Sequence, residues 1–328
     1  MLEDIAKSAA ALLRQILALL ASGPTTGDTS AEVSGRVTIM EIAPGTGPTW
    51  GTLSGLAAHP TDPGRIFAIT DQDSAPIRII EIAVTAASAV AIAQIRIVAP
   101  GLDGLDTEAI AAKPDGGFWL ASEGAKGNVP PNLLIEVDAA GRMLRTLALP
   151  ASIAARMPKK GFEGVALQST ASGAQLVVAF QAPLDGDPDD MTRVGVVDPA
   201  SGAWRFYYYP LDRNDDGDIT GLSEVLALGQ GRFAAIERDG KGGKKSIKWI
   251  TTFALSPNSG AAPDATPPVL DKHVAIDLVP IFRDAGRKVE KEVEGLAVAA
   301  DGMVYVVTDN DGERPTLLIR LGPASEVF

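Results

Sequence analysis

The sequence predicts an all-β fold, a propeller of four-stranded blades, and three observations carry that prediction. The first is an internal repeat. Five apolar stretches open on a small or acidic residue: Leu53-Ser54-Gly55-Leu56, Asp106-Thr107-Glu108-Ala109-Ile110, Gly161-Phe162-Glu163-Gly164-Val165, Gly221-Leu222-Ser223-Glu224-Val225 and Val293-Glu294-Gly295-Leu296. About fifteen residues after each opening, a second apolar stretch closes on a polar tip. The tips read Thr70-Asp71-Gln72-Asp73, Ser122-Glu123-Gly124, Phe180-Gln181, Ile236-Glu237-Arg238-Asp239 and Thr308-Asp309-Asn310-Asp311.

The second observation is turn chemistry. In the unit from Glu108, strand signals at 108–112, 118–123, 133–138 and 143–147 are separated by Pro114-Asp115-Gly116-Gly117, by 128–132 and by Asp138-Ala139-Ala140-Gly141. Four strands joined by tight turns make a propeller blade. The third is composition. Of 328 residues 46% are hydrophobic but only 5% aromatic, with 34 Gly and 23 Pro, which suits many short strands joined by turns.

Taken in chain order, residues 1–20 carry Leu2, Ile5, Ala9, Leu12, Ile16 and Leu19 at steps of three and four, the seam of a short amphipathic helix suited to docking or self-association. Glu3, Asp4, Lys7 and Arg14 interrupt the run. It therefore reads neither as a signal peptide nor as a transmembrane span, which needs about 20 consecutive apolar residues. Residues 21–33 read as a Gly/Ser/Thr-rich linker, and 34–328 as the propeller domain. Openings recur at intervals of about 54 to 70 residues, a blade with long loops each time. After Glu294 only three strands remain, so the segment 36–42 is expected to supply the fourth and close the ring. The count is five blades, or six if two units have been merged.

A formal net charge of -12 argues against nucleic acid and for a cation. The first strand of a blade lines the central channel, so Glu108, Glu163, Glu224 and Glu294 are expected to face one another, with Ser54 in their place in the first unit. Facing carboxylates repel unless a positive charge sits among them. Calcium, a hard cation with forgiving oxygen geometry, suits such a ring. Asp71, Asp73, Glu123, Gln181, Glu237, Asp309 and Asp311 would form an acidic mouth above it. The metal is expected on the side of the four Glu, with Ser54, Asp71 and Asp73 marking the opening for water or substrate. The alternative reading has each Glu capping backbone N–H groups or pairing with Arg238, Lys160 or Lys291.

Two other acidic segments stand out. Asp212-Arg213-Asn214-Asp215-Asp216-Gly217-Asp218 matches the first half of a calcium loop, but Ser223 stands where such a loop needs Glu. Asp185-Gly186-Asp187-Pro188-Asp189-Asp190 reads as a solvated loop. With no cysteine, thiol chemistry is absent. A serine-esterase triad finds no G-x-S-x-G elbow and only two histidines, His59 and His273, both in structural settings.

The motifs Gly161 to Leu167 with Phe180-Gln181-Ala182-Pro183-Leu184, Ala235 to Asp239, and Glu294-Gly295-Leu296 with Thr308 to Asp311 resemble the phytase-like family described as having esterase-like activity of phytase. The resemblance covers residues 50–322. It implies a β-propeller often exported from bacteria, hence periplasmic or extracellular, with calcium that stabilises the fold and binds a phosphate or ester substrate. Two departures stand against a phytase proper, which has six blades: the count of five, and a mouth with few cations, namely Arg238, Lys159, Lys160 and Lys291.

Metal-assisted hydrolysis of a small phosphoester or carboxylic ester is the reading that survives. It uses Glu108, Glu163, Glu224, Glu294, Glu123 and Asp309 as metal ligands and Glu163, Glu237 and Arg238 as catalytic groups. Ser54, Asp71, Asp73, Gln181, Lys160 and Lys291 would contact the substrate. A non-catalytic calcium-binding propeller that binds a ligand or protein, and a lactonase-like propeller with one axial calcium, stand beside it.

Overall fold

The computed structural model of the chain describes residues 37–44, 47–71, 76–102, 104–124, 128, 130–170, 173–256, 259–309 and 315–328. The helix expected over 1–20, the linker over 21–33, Asp73 and Asp311 lie outside them.

Strand β1 (Thr38–Ala43) comes first and is paired last. The first blade holds β2 (Leu53–Ala58), β3 (Arg65–Thr70), β4 (Arg78–Val84) and β5 (Ala89–Arg96). The second holds β6 (Asp106–Ala112), β7 (Phe118–Glu123), β8 (Leu133–Val137) and β9 (Met143–Ala148). The third holds β10 (Phe162–Thr170), β11 (Gly173–Phe180), β12 (Met191–Val197) and β13 (Trp204–Pro210). The fourth holds β14 (Gly221–Gly229), β15 (Arg232–Arg238), β16 (Lys248–Ala254) and β17 (Lys272–Asp277). In the fifth, β18 (Glu292–Val298), β19 (Met303–Asp309) and β20 (Leu317–Pro323) are completed by β1, antiparallel to β20 from Thr38↔Arg320 to Glu41↔Leu317. The ring is thus closed by the N-terminal strand, as the missing fourth strand predicts. Beyond that closure, β1 also pairs with β5 in parallel at Ile42↔Ala89 and Ala43↔Val90, which joins the fifth blade to the first. Among the described residues, three short helices, α1 (Ala151–Ala154), α2 (Leu278–Asp284) and α3 (Ala324–Val327), punctuate the loops.

Period-two alternation explains where the core lies. On β3, Ile66 and Ala68 face the fifth blade while Phe67 and Ile69 face the second. Every sheet buries both faces this way, and five hydrophobic clusters result, one between each adjacent pair of blades. Between the second and third, Phe162, Phe180, Trp204 and Phe206 stack and meet edge to face, with Trp119 in the same cluster. Each such side chain contributes about 1.5–3 kcal/mol by leaving water.

The innermost strands touch in ring order, β2 to β6 to β10 to β14 to β18 and back to β2. Their approach is backbone to backbone. A Cβ on Gly164 would fall 2.5 Å from Val225 N, and one on Gly295 2.6 Å from Leu56 N. Those glycines are there because no side chain fits.

Candidate functional site

Each innermost strand breaks register with its neighbour at its opening. The shift falls between Leu53 and Leu56, Thr107 and Ala109, Phe162 and Gly164, Leu222 and Glu224, and Val293 and Gly295. A bulge re-aims the extra residue and ends the ladder locally. The bulged residues are Ser54 (with Gly55), Glu108, Glu163, Ser223 and Glu294. Here the pairing departs from the alignment by spacing: Ser223, not Glu224, stands level with Glu108, Glu163 and Glu294. A bulge moves one residue past its partner, and residue counting cannot see which.

Glu224 takes the next position, which the other blades give to Gly55, Ala109, Gly164 and Gly295. Its carboxylate meets the N–H groups of the residue after that position around the ring. Val225 N donates to Oε1 at 2.9 Å, and the N–H groups of Leu56, Val165 and Leu296 face the same carboxylate. Burial pushes its pKa well above the carboxylate range, and those donors pull it back in part. One side chain thus serves four of the five blades, on the axis. Oε2 is buried without a hydrogen-bond partner among the described residues.

The acidic mouth gathers on the strand openings and tips of the first, second and fifth blades. Asp71, Asp106 and Glu108 each bring a carboxylate oxygen within 4.8 Å of the others, all half-buried. Ser54 Oγ donates to Glu108 Oε2 at 2.9 Å. Burial and then Glu108 push Asp71 up to about 11, with Asp106 and Asp309 adding to it. Burial, Asp106, Glu294 and Glu123 push Glu108 well up, and the Ser54 hydroxyl opposes them. Glu163 is driven up by burial, Glu108, Glu294 and Glu123, with Arg238 opposing. Glu123 rises to about 7 through burial, offset by the Gly161 N–H and by Lys160 and Lys159. Glu294 rises to about 7 through burial, offset by the ion pair it makes with Arg238.

The spacing argument placed the metal with the four Glu; the tightest carboxylate group instead lies on the Ser54 side and includes Asp71. Asp106, which reasoning from the openings passed over, opens β6 just before the bulge at Glu108, and its carboxylate lies beside those of Glu108 and Asp71. Glu292, two before Glu294, acts on Arg238 and Glu294. Asp309 lies near enough to raise both Asp71 and Glu294.

Arg238 faces two ways. It pairs with Glu294 and also lines a cleft of about 120 Å³ with Lys160, Gln181 and Thr220. Gly221 keeps Gln181 close, since a Cβ there would sit 2.8 Å from Gln181 O. Arg238 Nε and Glu294 Oε2 are buried without hydrogen-bond partners among the described residues. Lys291 is exposed and not among the cleft-lining residues.

Glu237 is elsewhere. It is fully buried, and Tyr209 Oη (2.9 Å), Asp212 N (2.8 Å), Thr220 Oγ1 (2.7 Å) and Lys272 Nζ occupy its two oxygens. Such a carboxylate ties the third and fourth blades together. Next to Arg238, Asp239 and Lys248 form a buried pair at 2.8 Å, with Asn214 also donating to Asp239 at 2.7 Å.

The two acidic loops are internally compensated. Asp212 pairs with Lys272 at 2.7 Å, Asp216 with Lys245 at 2.6 Å and Asp218 with Lys241 at 3.5 Å, while Asn214 Oδ1 accepts from Asp216 N and Asp218 N. Asp187 is buried between Arg193 (2.6 Å), Arg156 and the Tyr208 hydroxyl (3.0 Å), and although burial raises its pKa, the arginines hold it below the usual range. The long charged segment 185–190 is pinned rather than solvated at its centre.

For calcium, the donor set fits. Asp71, Asp106 and Glu108 are hard oxygen ligands, and Glu294 Oε2 is a buried oxygen left without a hydrogen-bond donor. The main influences on Asp71 and Glu108 are burial and neighbouring carboxylates.

Five closed blades around an acidic, cation-suited mouth define a β-propeller with a candidate metal centre at one end of its axis. The chain belongs to the phytase-like family, esterase-like activity of phytase, whose profile matches residues 48–312. No curated protein matches the chain in sequence. Among solved structures, a glucose dehydrogenase-like oxidoreductase of Thermus thermophilus is 15% identical over 83% of this chain and 84% of its own, with TM-score 0.41. A luciferin-regenerating enzyme is 12% identical over 82% and 76%, with TM-score 0.42. A hypothetical protein from Leishmania major is 13% identical over 91% and 94%, with TM-score 0.41. Likenesses of this order carry no argument about chemistry.

Proposed function

We propose that the chain is a calcium-dependent hydrolase of small phosphoesters or carboxylic esters, working at the acidic mouth. The observation that carries this reading is the Asp71–Asp106–Glu108 group, whose oxygens lie within 4.8 Å of one another, with Asp71 and Glu108 raised by burial and by neighbouring carboxylates. Those three residues would hold the metal, with Ser54 fixing the Glu108 carboxylate. Calcium held there supplies Lewis acidity to a substrate oxygen and acidity to a bound water.

The chain's own groups divide the remaining work. Glu163, which lies among Glu108, Glu294 and Glu123 with Arg238 opposing their effect on it, would be the general base, its ionised carboxylate taking a proton from the attacking water. Arg238, whose charge reaches Glu163 and Glu294, would stabilise the anion that develops at the reacting centre. The cleft of Lys160, Gln181 and Thr220 beside it would seat the part of the substrate that does not react. Glu237, with its oxygens occupied, serves the scaffold. Family membership supports a periplasmic or extracellular setting, and among the described residues no helix is long and apolar enough to cross a membrane.

The test is turnover of p-nitrophenyl phosphate and p-nitrophenyl butyrate with calcium and with a chelator, in the wild type and in Asp71→Asn and Glu108→Gln. Activity should require calcium and fall about tenfold or more in either variant. Turnover unaffected by chelator overturns the reading, and tight calcium binding without any turnover leaves a calcium-binding platform instead.

A further inference from the structure

One guanidinium serves both the mouth and the cleft beside it. Arg238 pairs with Glu294 and also lines the space of about 120 Å³ with Lys160, Gln181, Thr220, Gly221 and Gly240. Sites that enclose a whole ligand run to about 300–1,000 Å³, so this cleft takes one group of a molecule and not the whole. It is open at Gly240, where a Cβ would meet nothing within 4 Å.

The charge in its wall is of one sign. Lys160 and Arg238 line it, and among the described residues no carboxylate does. Glu163, Glu292 and Glu294 act on Arg238, but none of the three belongs to the wall. The lysines of the neighbouring blade are already committed: Lys241 to Asp218, Lys245 to Asp216, Lys248 to Asp239, and Lys272 to Asp212 and Glu237. Lys160 makes no ion pair among the described residues and acts on Glu123 from farther off.

Hydrogen-bond donors are left over as well. Arg238 Nη2 donates to Glu294 Oε1, while Nε has no hydrogen-bond partner among the described residues. A guanidinium holds its donors in a planar fork that grips an oxyanion at two points, and Glu294 uses only part of that fork. Gln181, 9% exposed like Arg238, adds an amide with two donors. Buried donors without acceptors cost free energy that a negatively charged acceptor recovers. A carboxylate or a phosphate meets both conditions; a neutral or cationic group does not.

We infer that the cleft is an oxyanion subsite, and that the esters hydrolysed at the mouth carry a second anionic group, carboxylate or phosphate, which is not cleaved. The subsite follows from the lining of the cleft alone, whereas the substrate class rests on the hydrolytic reading of the mouth.

The first test needs no turnover. Titration of the full chain with methyl phosphate and with propionate should shift the Gln181 side-chain amide in isotope-edited NMR, and neutral propionamide should not. Affinity should fall about fivefold in Lys160→Gln, the scale of an exposed ion pair, and should be unchanged in Lys288→Gln, an exposed lysine outside the cleft. Binding should survive Asp71→Asn, which alters the calcium ligands and not the cleft.

Turnover then identifies the anion, through kcat/KM for mono-p-nitrophenyl glutarate against p-nitrophenyl valerate and for propane-1,3-diol bisphosphate against propyl phosphate. At least one charged member should be favoured about tenfold, with the advantage reduced in Lys160→Gln. Amide shifts without turnover of any ester would overturn the hydrolytic reading and leave the subsite standing. No shift with either oxyanion, an equal shift with propionamide, wild-type affinity in Lys160→Gln, or equal kcat/KM within both pairs overturns the inference.

Discussion

Ser54 Oγ donates a hydrogen bond to Glu108 Oε2 at 2.9 Å, across the boundary between the first and second blades. This hydrogen bond favours the charged carboxylate of Glu108, against burial, Asp106, Glu294 and Glu123. Because hydrogen bonds to charged groups contribute about 1.5–3 kcal/mol, Ser54→Ala should raise the Glu108 pKa further and weaken calcium binding by about tenfold or more. The loss should be larger at pH 6 than at pH 8, where excess hydroxide offsets the higher pKa. Calorimetric titration of calcium at both pH values checks this, and equal affinity in wild type and variant would contradict it.

Stability should depend on pH in a direction opposite to ordinary acid denaturation. Glu123 and Glu294 titrate near 7 in the fold and near the ordinary 4.5 when unfolded. Below 4.5 both states hold these protons and the fold is not penalised. Between 4.5 and 7 the unfolded chain releases protons that the fold retains, so folding becomes less favourable as pH rises. The depressed carboxyls Asp187 and Asp239 act in the other sense, but their contribution is lost only as pH falls below the ordinary 3.8. In chelator, the melting temperature should therefore be higher at pH 5 than at pH 7.5. Calcium, which needs the carboxylates ionised, should raise it more at pH 7.5. Melting curves under the four conditions decide it; no difference in chelator would sink the argument.

The axial carboxylate should matter more than its count of one suggests. Removing Glu224 leaves the N–H groups of Leu56, Val165, Val225 and Leu296 facing an empty axis. Each buried donor without an acceptor costs about 1–3 kcal/mol. Glu224→Ala should lose several kcal/mol in urea unfolding or fail to fold, whereas Glu224→Gln, which keeps an acceptor oxygen, should stay near wild type. Equal midpoints for the two variants would show that the carboxylate does not hold the ring.

Much of this was legible without coordinates. The openings at Ser54, Glu108, Glu163, Glu224 and Glu294 and the missing last strand lead to five blades and to closure by the N-terminal strand, because a repeat and an alternation of two are written in neighbouring residues. Glu224 shows where that reading stops. Spacing set it level with Glu108, and the bulge at Ser223 moved it one place along to the axis. Glu237 sat at a tip like the others, and only packing turned it inward, to Tyr209, Thr220 and Lys272.

By itself, then, the sequence determined a propeller, its blade count, its polar openings and an acidity that calls for a cation, all of which follow from local pattern and composition. Tertiary structure alone decided that Asp71 joins Asp106 and Glu108, that Arg238 neutralises Glu294, and that Lys160, Gln181 and Arg238 share a cleft. Those groups come from different strands or blades. Their meeting depends on strand register and ring closure, which are set by the packing between blades and not by any stretch of chain.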